Sequence, residues 1–572
     1  MRCRTGGLGR AVGVAIRRET KQLVFRKFHN RMEASSNTVA MFLLLIGSLL
    51  TGVGFILLLP PFEGFDETAH YSYLQQISQT GTFPRRDDPI SAEIEKYLDV
   101  APVALSVQAK WTYKSFFNSS PDTIDAGRKL LERRYRDQQW VAGSATNWQG
   151  QHPPLYYALL APLYRISSEW SLKAQLSLLR FASYAVAWAG LLLIVLSHRR
   201  SDPSRDGAGL FALGAALWPA LFPMWFPEMA RLGNDCLVLL CSSVALILIR
   251  RLLRTDAFRD YLGLGAICGL GLLSKATFLP FCAAVTLVLG VRAAVLWPKR
   301  LRQAPAKLVA FAGVIMAIAG WWYVGNILAH GSPLGSNDEV GLAKSEGLAK
   351  GLAVHFSVLE FIRGLALTTL SFFWAGTWSF MQPPLIAKAP LLLVGICIIA
   401  GYVIYQRRAK VGYIDSIAML SLAFFIIGLM YLLLISGATK AVFVIGAWYL
   451  HSLAPVFSGI AGKGLWQALR HPRISPFVVL VMACAFAFLP FVLAIQALYF
   501  SGCAQMMPAK PYYFNFPTIS ECGFQTVWGN LSILTYPAAA LCFVIPGWIA
   551  MTVGAFATAR SIRASANHTV PA

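Results

Sequence analysis

Apolar runs of about 20 residues recur along this chain, and no other property of the sequence restricts its fold as much. Inside a bilayer every backbone N–H and C=O must find its partner within the protein, so only helices and closed barrels can span. A run of roughly 20 apolar residues is long enough for a helix to cross. Barrel strands instead alternate apolar and polar residues over about 10 positions, a pattern this sequence does not show. Of 572 residues, 56% are hydrophobic and 13% charged, whereas a soluble domain carries about 25% charge. The sequence therefore predicts an all-α polytopic membrane protein.

Twelve spans are predicted, at 40–60, 176–197, 208–227, 233–250, 259–274, 277–296, 307–328, 387–405, 414–436, 442–462, 475–499 and 531–557. The basic clusters His198-Arg199-Arg200, Arg250-Arg251-Leu252-Leu253-Arg254, Lys299-Arg300-Leu301-Arg302, Arg407-Arg408 and Arg470-His471-Pro472-Arg473 all fall on one side of that arrangement. The positive-inside bias makes that side cytoplasmic and places both termini there. Residues 1–39 then form a basic cytoplasmic tail, 40–558 the multi-pass domain and 559–572 a cytoplasmic C-terminal tail. The basic N-terminus also reads as a lipid-surface helix, a transit peptide, or an extension upstream of a start at Met32. The extracytoplasmic side holds three long segments: 62–175, 329–386 (with Phe356–Leu370 as a surface-lying amphipathic helix) and 500–530.

The net charge of +23 follows from those basic loops. Nucleic-acid binding would need a basic soluble domain, and the sequence has none. Seven of the ten cysteines lie in apolar runs, where they act as small core residues. Cys503 and Cys522 share one polar loop, and a disulfide between them is expected if that loop is extracytoplasmic.

Ionisable residues concentrate where spans meet water. Pro60-Pro61-Phe62-Glu63-Gly64-Phe65-Asp66-Glu67-Thr68-Ala69-His70-Tyr71 directly follows the first apolar run. Asp66 reads either as the cap of the next helix or as a general base for an attacking hydroxyl. Glu67 then orients partners or a metal. His70, four residues after Asp66, shares its helix face. The first long loop closes with Gln151-His152-Pro153-Pro154-Leu155-Tyr156-Tyr157, where His152 is structural or lines the site. Pro227-Glu228-Met229-Ala230-Arg231-Leu232-Gly233-Asn234-Asp235 holds more charge than capping by Asn234-Asp235 requires. Ser274-Lys275-Ala276-Thr277 interrupts an apolar stretch, and its Lys275 either snorkels or meets a phosphate. The aromatic groups Trp321-Trp322-Tyr323 and Ser371–Trp378 read as a membrane-interface belt or as a surface for a sugar or lipid tail.

One span, then Asp-Glu-x-x-His-Tyr, then a long outer loop ending in His-Pro-Pro-Leu-Tyr-Tyr resembles the GT-C glycosyltransferases, which include protein O-mannosyltransferases and the lipid A aminoarabinose transferase. The resemblance covers roughly residues 40–460. It implies a polyprenyl-phosphate-linked sugar donor, a glycan or lipid acceptor in the cell envelope, and a place in a bacterial inner (plasma) membrane. It makes Asp66 the catalytic carboxylate, with Glu67 beside it. It places His70, His152, Arg231, Asn234, Asp235 and Lys275 around the substrate. Some members bind a divalent metal, for which Glu67, His70 and Asp235 are the candidates. Two departures stand out: Trp448-Tyr449 occupies a place where some members carry Arg-Tyr, and the soluble C-terminal domain of several members is not expected here. Two other readings compete. A transporter or flippase of lipid-linked saccharides should show repeated halves and mid-membrane charges, and a non-catalytic subunit would use the loops only for binding.

Overall fold

The computed structural model describes residues 38–567 apart from 108, 134–139, 199–207, 297–302, 345–346, 410, 505, 508–509 and 515–521. The basic N-terminal segment and the alternative start at Met32 lie outside the described residues. Among these residues nine helices are long and apolar enough to cross a membrane. They are Thr38–Leu58, Leu172–His198, Asp235–Thr255, Ala276–Val295, Ala304–His330, Leu385–Arg408, Tyr413–Lys440, Ser475–Phe500 and Pro537–Ala566. The pair Leu348–His355 and Val358–Phe373, bent by 104°, makes ten if it crosses as one. The chain is an integral multi-pass membrane protein.

The other three expected spans are shorter helices, each for a visible reason. The helix within 208–227 stops at Leu221, two residues before Pro223, which cannot continue it. Phe258–Ser274 has 17 residues and ends where Lys275 turns extended. Residues 442–446 are not helical. The chain instead makes a 3-10 turn over Ala447–Leu453, then starts the helix Ala454–Arg470 with Pro455 in its first turn. The C-terminal tail expected at 559–572 is helical as far as Asn567.

Glycine lets these shorter helices pack backbone to backbone. A Cβ on Gly214 would lie 1.8 Å from the Ser458 carbonyl oxygen, and one on Gly462 would lie 1.8 Å from that of Leu210. On the other flank, a Cβ on Gly401 would lie 2.1 Å from the Gly464 oxygen. Small residues permit such approach where lipid supplies no hydrophobic drive between helices.

The three long segments meet at one end of the bundle. Tyr113 packs on Phe500 with ring centres 5.3 Å apart. The backbone N–H of Asn337 donates to Gln151, and that of Trp378 donates to the Glu63 carbonyl. Within 62–171, the helix Glu67–Thr80 packs on Leu155–Ile166, and Pro89–Ser91 pairs antiparallel with Ala142–Thr146. Cys503 and Cys522 form a disulfide with Cα atoms 5.7 Å apart. Asp235, at the start of a 21-residue helix, faces this end, whereas Asp256, just past its C-terminus, pairs with Arg292 and Lys307.

Candidate active site

Asp66 stands at the N-terminus of Glu67–Thr80 with φ 58°, in the left-handed region, and its side chain does not cap that helix. Its Oδ1 accepts the indole N–H of Trp148 at 2.8 Å. Its Oδ2 has no hydrogen-bond partner among the described residues, and the side chain keeps some exposure. Burial pushes the carboxyl above its ordinary value, against the pull of Arg231, the Trp148 hydrogen bond and Lys275. Such a group is suited to taking a proton.

Glu67, which the sequence reading paired with Asp66 in catalysis, has both carboxylate oxygens occupied. Its Oε1 accepts Arg180 Nε at 2.8 Å and the Leu232 N–H at 2.9 Å. Its Oε2 accepts Arg180 Nη2 at 2.5 Å and the Gly64 N–H at 3.0 Å. Arg180 also donates to the carbonyls of Leu59 and Pro60, each at 2.7 Å. Both side chains are buried. Glu67 is thus a clamp that fixes the turn bearing Asp66. Arg180 went unnoticed although a charge inside the apolar run 176–197 was a signal.

Arg231 gathers the rest. It forms ion pairs with Glu228 at 3.0 Å and Asp235 at 2.7 Å, and Nη1 donates to the Phe65 carbonyl at 3.0 Å. Lys275 Nζ reaches the same Asp235 Oδ2 at 2.7 Å and lies 4.6 Å from the centre of the Tyr449 ring. Burial pushes the Glu228 carboxyl above its ordinary value, against the pull of Arg231. Asn234, expected as a cap, instead donates to the Ser274 carbonyl at 3.0 Å and so holds the Lys275 turn in place. Asn234 Oδ1 and Asp235 Oδ1 are buried without a hydrogen-bond partner among the described residues.

His70 Nε2 faces Arg231 Nη1 at 3.4 Å, and Nδ1 lies 2.7 Å from the Tyr157 hydroxyl. A guanidinium only donates, so Nε2 accepts and Nδ1 carries the proton. Burial, then Arg231 and Lys275, keep this imidazole well below its ordinary pKa. His152 is lowered to about 3 by burial and then by Lys275; its backbone oxygen accepts the Tyr73 hydroxyl at 3.2 Å.

The metal candidates Glu67, His70 and Asp235 do not converge. Among the described residues no group of three or more His, Cys, Asp or Glu side chains is placed to hold a metal ion. Glu67 gives its lone pairs to Arg180 and two backbone N–H groups, and Asp235 Oδ2 serves two cations. The donor set does not fit a divalent ion.

Aromatic rings wall the site. Trp448 stacks on Phe65 at 4.8 Å and 9°, and Trp378 packs on Trp148 at 5.9 Å. Trp374 and Trp378 are buried, so this end of the 371–378 cluster is protein core rather than a lipid-facing belt, whereas Trp321 is exposed. Behind the wall, Glu63 is fully enclosed. It accepts hydrogen bonds from Tyr113 at 2.7 Å, Thr377 at 2.5 Å, and the N–H and hydroxyl of Ser379 at 3.0 and 3.1 Å. Sequence reading passed over it as one acid beside a more conspicuous pair.

Residues 151–323, which carry His152, Arg231, Asn234, Asp235 and Lys275, match the family described as dolichyl-phosphate-mannose-protein mannosyltransferase. No curated protein matches the chain. Among solved structures it is similar to ArnT from Cupriavidus metallidurans bound to undecaprenyl phosphate, at 14% identity and a TM-score of 0.44, covering 90% of this chain and 77% of that one. The apo state of ArnT gives 14%, 0.35, 85% and 75% for the same quantities. The apo oligosaccharyltransferase of Archaeoglobus fulgidus gives 14%, 0.39, 80% and 56%. The match over residues 151–323 agrees with the resemblance seen in the sequence.

Proposed function

We propose that the protein transfers a sugar from a polyprenyl-phosphate carrier to a hydroxyl of an envelope glycan or lipid, on the extracytoplasmic side, with inversion at the anomeric carbon. The observation that carries this reading is the meeting of Asp66, whose Oδ2 is uncommitted, with the buried cations Arg231 and Lys275 at one end of the bundle. Asp66 takes the proton of the acceptor hydroxyl as its oxygen attacks C1. The bond from C1 to the phosphate oxygen breaks, and that oxygen leaves with the electron pair. Lys275 and Arg231 stabilise the charge that grows on the phosphate. Asp235 holds both cations in place before the substrate arrives, so little reorganisation accompanies the reaction. One base and one stabilised leaving group describe a single displacement, which inverts the centre.

The apolar bundle holds the carrier's tail, and the aromatic wall of Trp148, Trp378 and Trp448 faces the sugar. The family described for 151–323 uses dolichyl-phosphate-mannose, which supports a carrier of this chemistry. The test is transfer of labelled sugar from a polyprenyl-phosphate donor by purified protein, beside Asp66→Asn. Transfer by the wild type and its loss in the variant are expected. Equal activity in both removes Asp66 as the base, and saccharide export without transfer favours a transporter.

A further inference from the structure

We infer that Glu63 is a positioning residue for Asp66, fastening the turn that bears the base to the 374–381 segment behind it. This rests on Asp66 being the base, as proposed above.

Backbone strain is the first observation. Five non-glycine residues have positive φ among the described residues, and three of them are Phe62 at 59°, Asp66 at 58° and Phe380 at 49°. Such conformations persist where the surroundings over-determine them, and they cluster at functional sites. Phe62 and Asp66 bracket Glu63, and Phe380 follows its partner Ser379.

The second observation is the pairing of Glu63. Unlike Glu67, it has no cationic partner among the described residues. It is held only by neutral donors: Tyr113, Thr377 and Ser379. Its carbonyl oxygen also accepts the Trp378 N–H at 2.9 Å. Ser106 donates to the Trp378 carbonyl at 2.5 Å, and the Leu105 N–H reaches Ser379 Oγ at 3.3 Å. One carboxyl therefore joins the Asp66 turn, the 105–113 stretch and the 377–379 stretch.

The third observation connects that joint to the base. The Trp378 ring packs on Trp148, and Trp148 donates to Asp66 Oδ1. Released from Glu63, the 377–379 stretch no longer holds the Trp378 ring against Trp148, and the indole loses the support that aims its N–H at Asp66. That hydrogen bond favours the charged carboxylate. Loss of Glu63 should therefore move the titration of Asp66 to higher pH without any contact between the two side chains.

The experiment reads Asp66 directly. Carbodiimide-driven amidation of Asp66 in the full-length protein is followed against pH by peptide mass spectrometry, with sugar transfer measured in parallel. Glu63→Ala is expected to raise the Asp66 midpoint and to lower kcat about 10- to 100-fold with KM changed less than about threefold, the scale of a misplaced catalytic group. Glu63→Gln keeps a carbonyl for Thr377 and the Ser379 N–H and offers an amide to the two remaining hydroxyls, so it rescues both readouts. Trp148→Phe reproduces the shift, and adding Glu63→Ala to it produces none further. If Glu63→Ala does not fold, Thr377→Val with Ser379→Ala removes the same joint. An unchanged Asp66 midpoint in Glu63→Ala or the joint variant, or additive shifts with Trp148→Phe, overturns the inference. A wild type that transfers no sugar overturns the proposed function alone, because the Asp66 midpoint needs no turnover.

Discussion

Trp148 donates its indole N–H to Asp66 Oδ1 at 2.8 Å, joining residues 82 positions apart in the chain. The bond occupies one carboxylate oxygen and leaves the other facing the site. In the proposed reaction, that second oxygen is the one that takes the proton. Asp66→Asn keeps an oxygen for Trp148 and removes the proposed base. Sugar transfer should fall at least about 100-fold, with a melting temperature in detergent close to that of the wild type.

Glu67 and Arg180 form a buried pair that also holds four backbone groups. Removing one charge leaves the other uncompensated, at roughly 3–5 kcal/mol. Glu67→Ala and Arg180→Ala should each melt far below the wild type. The double substitution Glu67→Gln with Arg180→Met should lose less than the sum of the two. A Glu67→Gln protein that melts normally but transfers no sugar would assign Glu67 a catalytic role.

Burial raises Glu63 from 4.5 to about 7, against the hydrogen bonds from Thr377, Tyr113 and Ser379. The charged or titratable groups facing it are the phenols of Tyr113 and Tyr499. A carboxyl whose folded pKa is raised holds its proton longer in the native state. Its contribution to stability is complete below 4.5 and is lost as pH rises through about 7. The full effect is roughly 3 kcal/mol by the usual conversion. Melting temperature plotted against pH should therefore fall less steeply across this window in Glu63→Gln than in the wild type.

Lys275 and Arg231 share Asp235 Oδ2, each at 2.7 Å. Lys275→Ala leaves Asp235 paired with Arg231, so the fold should survive. Sugar transfer should drop about 100-fold or more from loss of leaving-group stabilisation, and Lys275→Arg should recover part of it. Asp235→Ala leaves Lys275 uncompensated and Arg231 with Glu228 alone, and should destabilise by roughly 3–5 kcal/mol. Activity and melting temperature together separate the two roles.

A methyl group at Gly462 would meet the Leu210 carbonyl at 1.8 Å, whereas one at Gly290 meets nothing within 4 Å. Gly462→Ala should destabilise by about 1–3 kcal/mol through overpacking. Gly290→Ala should leave the melting temperature unchanged or slightly raised.

Much of the architecture was legible because a spanning helix is written locally, in length and apolarity. The runs at 40–60, 387–405 and 475–499 became Thr38–Leu58, Leu385–Arg408 and Ser475–Phe500. The run at 442–462 misled because hydropathy does not register the non-helical 442–446 stretch or the helix start at Pro455. At the site, Asp66, Arg231, Asp235 and Lys275 were each visible as charges beside apolar runs, and the fold brings them together.

What the sequence could not assign was partnership. Asp66 and Glu67 are neighbours of the same chemistry, yet one meets Trp148 and keeps a free oxygen while the other is filled by Arg180, 113 positions away. Glu63 acquires its donors from Tyr113 and from residues more than 300 positions on. The sequence by itself determined that this chain spans a membrane with helices and gathers its charges at span ends, because transfer of a segment between water and lipid depends on local composition. Only the tertiary structure decided which carboxylate keeps an uncommitted oxygen and which are filled by donors, because long-range packing delivers those donors.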